Sequence, residues 1–263
     1  MKLARLLPVL LLPFVFASCT DTREELDIKK DGSGTLAIRT DLGKIIEMMK
    51  GFGGEEGFTK EGLDRPFDTT MLLKDYIDTV QNIPADKKAL LRNGKVHLIL
   101  NAKDNIGKLD MHFPFASTDQ LQQLYESLNS AGGGMQGLFG DLGKTPGMGA
   151  DQPDTEKAPG GDKGMPQISS VYDITVKDGV YSRKVNKERY DAFSKAMKLD
   201  ELKQMSGMLG EMNYTVAVKF PRPVKKISNP KAALSDDKMT ATLSVDLMEI
   251  FEHPELLAME IAY

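Results

Sequence analysis

The chain has 263 residues, 41% of them hydrophobic, with 34 basic and 38 acidic side chains and a formal net charge of −4. An acidic chain is poorly suited to bind DNA or RNA, because that binding depends on positive charge that displaces counterions from phosphates. The chain has one cysteine, so no disulfide forms within it and the fold depends on buried side chains.

The N-terminal segment has the order of a bacterial lipoprotein signal. Lys2 and Arg5 precede the apolar segment 6–16, and small residues then lead to a cysteine. The apolar segment is about 11 residues long, whereas a membrane-spanning helix needs roughly 20. Phe16-Ala17-Ser18-Cys19 resembles a lipobox in which Phe replaces the usual Leu. We therefore predict a signal peptide over 1–18 and lipid attachment at Cys19. The alternative is an ordinary secretory signal that happens to be followed by cysteine.

Removal of the signal makes the mature protein more acidic. Loss of Lys2 and Arg5 leaves 32 basic against 38 acidic side chains, a formal net charge of −6. Residues 19–25 show no apolar periodicity, so we predict a polar tether between the lipid and the fold. The first expected partner is a membrane, bound through the N-terminal lipid, in which each buried methylene contributes roughly 0.8 kcal/mol.

Residues 26–130 predict the first half of an α+β fold. Leu26 and Ile28 alternate with polar residues before Asp31-Gly32-Ser33-Gly34, and this pattern indicates a β-hairpin. A second hairpin is predicted with strands over 96–100 and 109–113. Helical patterns occur after Asp41, over 71–80, over 84–91, and from Ser117 or Thr118 onward, the last with Leu121, Leu124, Tyr125 and Leu128 facing inward.

The segment 131–166 differs from the rest in composition. It holds 11 of the 24 glycines and 4 of the 13 prolines, and its large apolar residues have no sustained period. Such a composition is typical of a disordered loop or linker. We therefore expect the main internal boundary of the chain here.

Residues 167–263 predict a second α+β half. The pattern indicates a hairpin turning at Asp178-Gly179, helices over 187–197 and 200–212, strands over 214–220 and 239–245, a short helix over 246–251 and a strand over 257–263. The fold class is therefore α+β, with antiparallel hairpins packed against helices. The first hairpins of the two halves share a motif, with Asp27-Ile28 before Asp31-Gly32 and Asp173-Ile174 before Asp178-Gly179. Two explanations stay open: a duplication of the half, or two independent hairpins with a common type of turn.

Three motifs with metal or phosphate chemistry do not meet their structural requirements. A calcium loop starting at Asp27 would need oxygen ligands at its third and twelfth positions, but these hold Lys29 and Ile38. Gly132, Gly134 and Gly137 match a dinucleotide pattern, but they follow a predicted helix instead of a strand. Gly143-Lys144-Thr145 resembles the end of a phosphate-binding loop, but Leu138 stands where the first glycine is required.

The histidines are the remaining candidates for metal or catalytic chemistry. His97 and His112 fall on facing strands of the second hairpin, on its polar face and close to opposite positions, so either a weak metal site or two solvent-facing side chains fit the pattern. A nucleophile motif of the Gly-x-Ser-x-Gly type is absent from the sequence. We predict no cofactor, no metal and no catalytic residue.

Methionine is unusually frequent, with 15 residues. Met48 and Met49 fall on one predicted helix, and Met205, Met208 and Met212 fall on another. Flexible, polarizable methionines either pack a core or line an adaptable apolar groove, and both interpretations stay open.

Two stretches carry a resemblance to a known family. Val216 to Leu243 contains Val-Lys-Phe-Pro-Arg-Pro-Val-Lys-Lys-Ile-Ser-Asn and Ser-Asp-Asp-Lys-Met-Thr-Ala-Thr-Leu, and it resembles the closing strands of LppM-like bacterial lipoprotein domains. Together with the Asp31-Gly32-Ser33-Gly34 hairpin, it makes the chain similar to uncharacterised Bacteroidetes-type lipoproteins. The resemblance implies a membrane-anchored α+β domain without known catalysis and suggests a lipid-related binding role.

These observations lead to one leading hypothesis for function. We expect a non-enzymatic, lipid-anchored envelope protein that binds an envelope protein or an apolar ligand. Thr20 after the cysteine is not the aspartate that retains some lipoproteins at the inner membrane, so the outer membrane is expected, on its periplasmic or surface face. The alternative is an envelope enzyme whose site is assembled from dispersed residues.

Overall fold

A computed structural model of the chain describes residues 20–44, 46–47, 50–51, 66–78, 84–128, 168–197, 199 and 210–263. The predicted signal peptide, Cys19 and the whole segment 131–166 lie outside these residues, as does residue 167. All structural statements below concern the described residues.

Twelve β-strands form the framework of the described fold. They are β1 (Thr20–Ile28), β2 (Gly34–Asp41), β3 (Phe67–Leu72), β4 (Lys95–Asn101), β5 (Ile106–Phe115), β6 (Tyr172–Lys177), β7 (Val180–Val185), β8 (Met212–Lys219), β9 (Lys226–Ile227), β10 (Ala233–Leu234), β11 (Thr240–Asp246) and β12 (Met259–Ala262). Eight of them form a large sheet in the order β10-β11-β8-β1-β2-β5-β4-β3, and four form a small sheet in the order β6-β7-β12-β9.

Both sheets are antiparallel at nearly every pairing. The exception is β1, which runs parallel to β8 on one side and antiparallel to β2 on the other. A parallel pair needs a long crossover connection, and here the connection includes all the strands between β1 and β8 in the sequence. The fold is thus α+β, as the sequence predicted.

Short helices connect and cover the strands. They are α1 (Lys74–Ile77), α2 (Ala85–Leu91), α3 (residues 121–128), α4 (Lys187–Met197) and α5 (Leu247–Glu252), with 3-10 turns at Thr118–Gln120, Ile168–Val171 and Pro254–Leu257. Described residues between 43 and 51 are also helical. Two starts have clear side-chain caps. Asp246 accepts backbone N–H bonds from Met248 and Glu249 at α5, and Ser117 accepts one from Asp119 before α3.

The core lies between the inner faces of the two sheets. Period-two alternation places Leu26, Leu36 and Val216 on the inner face of the large sheet, where all three are buried. Tyr181 and Ile261 of the small sheet belong to the same hydrophobic cluster. Each large apolar side chain buried here contributes roughly 1.5–3 kcal/mol. The outer face of the large sheet carries polar side chains instead.

The predicted hairpins are confirmed. The turn before β2 contains Gly32 with φ +82°, and the turn between β6 and β7 contains Asp178 with φ +52° and Gly179 with φ +76°. These left-handed conformations are the reason for Gly and Asp at the turns. The hairpin of β4 and β5 turns at Asn105, whose φ is +54°.

The helices predicted over 84–91 and 187–197 and the one after Ser117 are also confirmed, as α2, α4 and α3. The four inward residues predicted for α3 are all buried: Leu121, Leu124, Tyr125 and Leu128.

The predicted polar tether over 19–25 is wrong from Thr20 onward. Strand β1 begins at Thr20 and pairs along its length with β8 and β2, so it lies in the interior of the sheet. The physical reason is that Glu24, which its charge alone would place in solvent, is completely buried and accepts a hydrogen bond from Arg183, in a distant part of the chain.

The helix predicted over 71–80 is also wrong at its start. Residues 67–72 form β3, which pairs with β4 at the edge of the large sheet, and of the described residues 71–78 only Lys74–Ile77 are helical. Strand pairing therefore outweighs the i, i+4 pattern that began at Leu72, which is 39% exposed. The helix predicted over 200–212 ends too late, because Met212 begins β8, and its residues 200–209 lie outside the described part.

The two predicted halves share one sheet. Strands β8, β10 and β11 come from the second half of the chain and join β1 to β5 of the first half. The two hairpins that suggested a duplication lie in different sheets, of eight and four strands. The segment 131–166 therefore connects parts of one packed structure.

Candidate functional site

A cleft of about 490 Å³ opens at one end of the large sheet. It lies where the turn after β1, the 3-10 turn after β5 and the segment after β8 meet. Its lining residues are Ile28, Lys29, Lys30, Gly32, Thr118, Pro221, Arg222 and Tyr263. The volume is within the range of sites for small molecules, roughly 300–1,000 Å³.

The turn after β1 places two lysines at the cleft. The backbone N–H of Lys29 donates to the Ser33 carbonyl at 2.8 Å, and that of Gly32 donates to the Lys29 carbonyl at 3.1 Å. The Asp31 carboxylate accepts bonds from the backbone N–H and the hydroxyl of Ser33, and these bonds, with the nearby Lys29 charge, lower the pKa of Asp31. The turn is thus fixed by its own hydrogen bonds, which leaves Lys29 and Lys30 at its surface.

Arg222 is positioned from the opposite side of the cleft. Its guanidinium carbon lies 5.5 Å from the centre of the Tyr263 ring, within cation–π distance. The Tyr263 ring stacks on Phe220 at 4.6 Å between centroids, and the backbone N–H of Tyr263 donates to the Gly179 carbonyl at 2.9 Å. The wall below Arg222 is therefore part of the buried core.

The cleft is positively charged on an acidic protein. Lys29, Lys30 and Arg222 contribute three cations, and the described lining residues include no acidic side chain. In the described part of the chain, none of these three makes an ion pair within 4.0 Å. With Asp31 counted as a neighbour of Lys29, the local charge is still positive. Such a cluster attracts anions.

A buried ion pair lies behind the cleft, between the two sheets. Arg183 of β7 donates from Nη1 to Glu24 Oε1 of β1 at 2.7 Å, and both side chains have zero exposure. The residues are 159 positions apart in sequence. Burial alone would lower the pKa of Arg183, but the Glu24 charge raises it well above its ordinary value. The pair therefore joins β7 of the small sheet to β1 of the large sheet.

Tyrosine hydroxyls complete the hydrogen bonding of the carboxylate. Tyr125 donates to Glu24 Oε1 at 2.5 Å, and Tyr214 donates to Oε2 at 2.7 Å. Burial, followed by the Glu24 charge, raises the pKa of both tyrosines well above the ordinary value. The Arg183 guanidinium also lies 4.3 Å above the Tyr172 ring centre. A buried carboxylate is tolerated only with such compensation.

The hydrogen bonding of this buried network is less complete around Arg183 than around Glu24. Arg183 Nε and Nη2 and the Tyr181 hydroxyl are buried without a hydrogen-bond partner in the described part of the chain. The Tyr181 hydroxyl lies beside the Arg183 guanidinium, whose charge lowers the pKa of Tyr181 against the larger, raising effect of burial. Tyr181 also meets Phe220 edge-on, with 6.2 Å between ring centroids. An unbroken series of contacts thus joins Arg183 to the cleft wall.

Tyr214 hydrogen-bonds Glu24 and Tyr181 does not, and this difference allows the buried hydrogen bonding to be tested. Tyr214→Phe is expected to lower the free energy of unfolding by about 1.5–3 kcal/mol, because a bond to a buried charge is lost. Tyr181→Phe is the matched control and is expected to change it by less than about 1 kcal/mol, because its hydroxyl has no bond to lose. Urea denaturation of the two variants measures both values. Equal losses would contradict the described hydrogen bonding.

The predicted histidine pair is offset. Both histidines lie on the outer face of the large sheet, but His97 is opposite Asp110 and His112 is opposite Lys95, so they face each other diagonally. A ring nitrogen of His97 hydrogen-bonds Asp68 at 2.8 Å. Within the described residues, no three His, Cys, Asp or Glu side chains are placed to hold a metal ion.

Several other candidates fall outside the described residues. They are Cys19, the glycine patterns at Gly132, Gly134, Gly137 and Gly143-Lys144-Thr145, and the methionines Met48, Met49, Met205 and Met208. Met212 begins β8 and is half-buried. Asp27 and Asp31, considered for a calcium loop, belong to the confirmed hairpin, where Asp27 pairs with Lys219.

Sequence reasoning missed the most deeply buried charges. Glu24 lies two residues before Leu26 and four before Ile28, so the period-two pattern, extended backwards, already placed it on their face. Arg183 alternates in the same way with Tyr181. Each alternation pattern places a charged residue on a buried face, against the rule that charged residues stay in solvent. The two placements make sense only together, because the buried glutamate and the buried arginine pair with each other.

The fold and the cleft define an α+β protein with two sheets around a buried ion pair and a cationic cleft at one end. No family model, curated protein or solved structure matches the chain. None of the helices that the structure describes is long and apolar enough to cross a membrane.

Proposed function

We propose that the protein is a lipoprotein of the cell envelope, held to the outer membrane by lipid on Cys19, and that its α+β body is a non-enzymatic binding module. The support in the sequence is the order of Lys2 and Arg5, the apolar segment 6–16 and Ala17-Ser18-Cys19. The resemblance to LppM-like lipoprotein domains agrees with this proposal and stays a prediction.

The observation that carries the proposal is the position of β1. This strand begins one residue after Cys19 and is paired on both sides within the large sheet. A lipid on Cys19 would therefore be attached directly to an interior strand. The folded body would sit against the membrane with the start of β1 towards the lipid, and without a flexible tether.

The chemistry of the cleft supports binding as the activity. Its functional groups are two ammonium groups, a guanidinium, the Thr118 hydroxyl and a tyrosine. These groups recognise a ligand by charge and hydrogen bonding. An envelope protein, an apolar ligand or a charged small molecule is the expected class of partner, and an acidic protein of this kind is not expected to bind nucleic acid.

Metabolic labelling with palmitate tests the anchor. Cys19→Ala is expected to abolish labelling and to release the protein from the membrane fraction, because the thioether to the lipid needs the cysteine sulfur. Ser18→Gly is the matched control, since it keeps a small residue before the cysteine and is expected to keep the label. Labelling of Cys19→Ala equal to that of the parent would refute the proposal.

A further inference from the structure

We propose that the cationic cleft formed by Lys29, Lys30 and Arg222 is a binding site for a small, soluble phosphate compound and that it opens away from the membrane. Its direction rests on the proposed attachment at Cys19, whereas its ligand chemistry rests on the cleft alone.

The charge of the cleft selects the ligand class. Three cations meet at one cavity of about 490 Å³, and none makes an ion pair within 4.0 Å in the described part of the chain. A phosphate monoester carries close to two negative charges near neutral pH and offers several acceptor oxygens. It therefore matches two lysines and one arginine better than a single carboxylate does. Arginine supplies a planar fork for phosphate oxygens, and lysines supply compact charges.

The cleft walls are held before any ligand arrives. Lys29 and Lys30 belong to a turn fixed by backbone bonds between Lys29, Gly32 and Ser33. On the other wall, Arg222 lies over Tyr263, whose ring stacks on Phe220. Pre-positioned groups lose less conformational freedom on binding, which favours affinity. Arg222 also lies beside Gly179, where an added Cβ would come 3.1 Å from Nη2.

The position of the cleft separates two possible sources of phosphate. β1 has nine residues between Thr20 and Ile28, and Ile28 lines the cleft. At about 3.3 Å per residue, the strand separates the cleft from the attachment point by roughly 26 Å. With the start of β1 directed to the membrane, as the proposed attachment at Cys19 implies, the cleft lies at the far end of the strand from the anchoring headgroups. This position favours a soluble compound over a lipid.

Calorimetric titration of the mature lipoprotein in detergent micelles tests the site. Glucose 6-phosphate is the probe, and glucose is the uncharged control. We expect the phosphate to bind and glucose not to bind, with an affinity that falls as salt is raised, because the contacts are ionic. Binding of both sugars with equal affinity would overturn the role assigned to the cations.

Charge-matched variants locate the binding. The double variant Lys29→Gln/Lys30→Gln is expected to lower the affinity for glucose 6-phosphate by about tenfold or more, because two charged contacts are lost. Lys103→Gln/Lys108→Gln removes the same charge at the other end of the sheet and is expected to change affinity less than about twofold. Arg222→Lys keeps the charge but loses the fork, and an intermediate loss is expected. Equal losses in both double variants would show general electrostatics and would overturn the site.

Vesicles distinguish the phosphate source. The mature protein is expected to bind glucose 6-phosphate equally with and without added phosphatidylglycerol vesicles. If Lys29→Gln/Lys30→Gln instead weakened binding to vesicles while the soluble phosphate failed to bind, the proposal of a soluble ligand would be overturned. The palmitate result for Cys19 is independent of these titrations, so failure of the site and failure of the membrane attachment are distinguishable.

Discussion

Glu24→Gln is expected to lower the free energy of unfolding by about 3–5 kcal/mol, the typical cost of breaking a buried ion pair from one side. The amide nearly preserves the shape of the carboxylate but removes its charge. Arg183 is then left as a buried cation with zero exposure. Because Arg183 already has two nitrogens without a partner, it has no second group ready to compensate. Urea denaturation measures the loss.

The neighbouring Glu25 supplies a matched control. It lies on the same strand but faces the outer side of the sheet, where it pairs with Arg23 and Arg39 and keeps 33% exposure. Glu25→Gln is expected to cost less than about 1 kcal/mol, because exposed ion pairs contribute little. Similar losses of unfolding free energy at Glu24 and Glu25 would mean that burial of the charge does not raise the cost of losing it. That result would contradict the role assigned to the buried pair of Glu24 and Arg183.

Replacement of both partners separates the charge from the packing. Glu24→Leu/Arg183→Met removes both ions and restores apolar contact between the sheets. It is expected to recover much of the stability lost in Glu24→Gln, because apolar side chains of similar volume avoid the desolvation cost of two ions. If the double variant were less stable than Glu24→Gln, the ion pair itself would stabilise the fold beyond its packing.

Local patterns were sufficient for most of the described elements. Gly32, Asp178 and Gly179 mark hairpin turns through the backbone conformations they permit, and the alternation around them gives the faces of the strands. Asp246 and Ser117 mark helix starts through their capping oxygens. These signals are carried by a few neighbouring residues, so they are readable without knowledge of the rest of the fold.

The order of the strands and the buried network were not readable in the same way. The parallel pairing of β1 with β8 joins residues about 190 positions apart, as in the bond from Tyr214 to Glu24. No local pattern specifies such a partner. Because the partner strand cannot be inferred locally, the polar sequence Thr-Asp-Thr-Arg-Glu-Glu predicted a solvated tether, although it forms part of an interior strand.

The cleft was missed for a related reason. Lys29 and Lys30 adjoin a turn, and Arg222 stands between two prolines, so each looks like an ordinary exposed cation in the sequence. Only the closure of the sheets brings the two segments to one cavity. A site made of unremarkable residues from distant segments has no motif, and its recognition requires the fold.

Unfolding in alkali is the second large effect that we expect. Burial raises the pKa of Tyr181 to about 12 and also raises the pKa values of Tyr125, Tyr172 and Tyr214. In the unfolded chain these hydroxyls titrate near pH 10. The stability that they contribute is therefore fully present below about pH 10 and is lost as the pH rises through the folded-state values.

The size of the loss follows from proton linkage. Between about pH 10 and pH 12, the unfolded chain releases a proton from each tyrosine while the folded protein keeps it. For Tyr181, a pKa difference of two units removes about 2–3 kcal/mol. The pKa values of Tyr125, Tyr172 and Tyr214 are raised in the same direction, so each adds to this loss, and unfolding is expected within this pH range. Circular dichroism and the phenolate absorbance of the four buried tyrosines are expected to change together in one cooperative step within this range.

Variants of single tyrosines decide whether the buried hydroxyls cause this step. Tyr181→Phe is expected to move the alkaline midpoint upward, because it removes one buried acid whose hydroxyl makes no hydrogen bond in the described structure. Tyr76→Phe is the control, since that ring is only half-buried, and it is expected to leave the midpoint unchanged. Complete titration of all seven tyrosines while circular dichroism stayed native would show that the buried hydroxyls titrate in the folded state, contrary to the burial of these side chains. The same network that tolerates a carboxylate and a guanidinium between two sheets thus makes the fold sensitive to alkali, because a buried phenolate there would share the single Arg183 cation with Glu24.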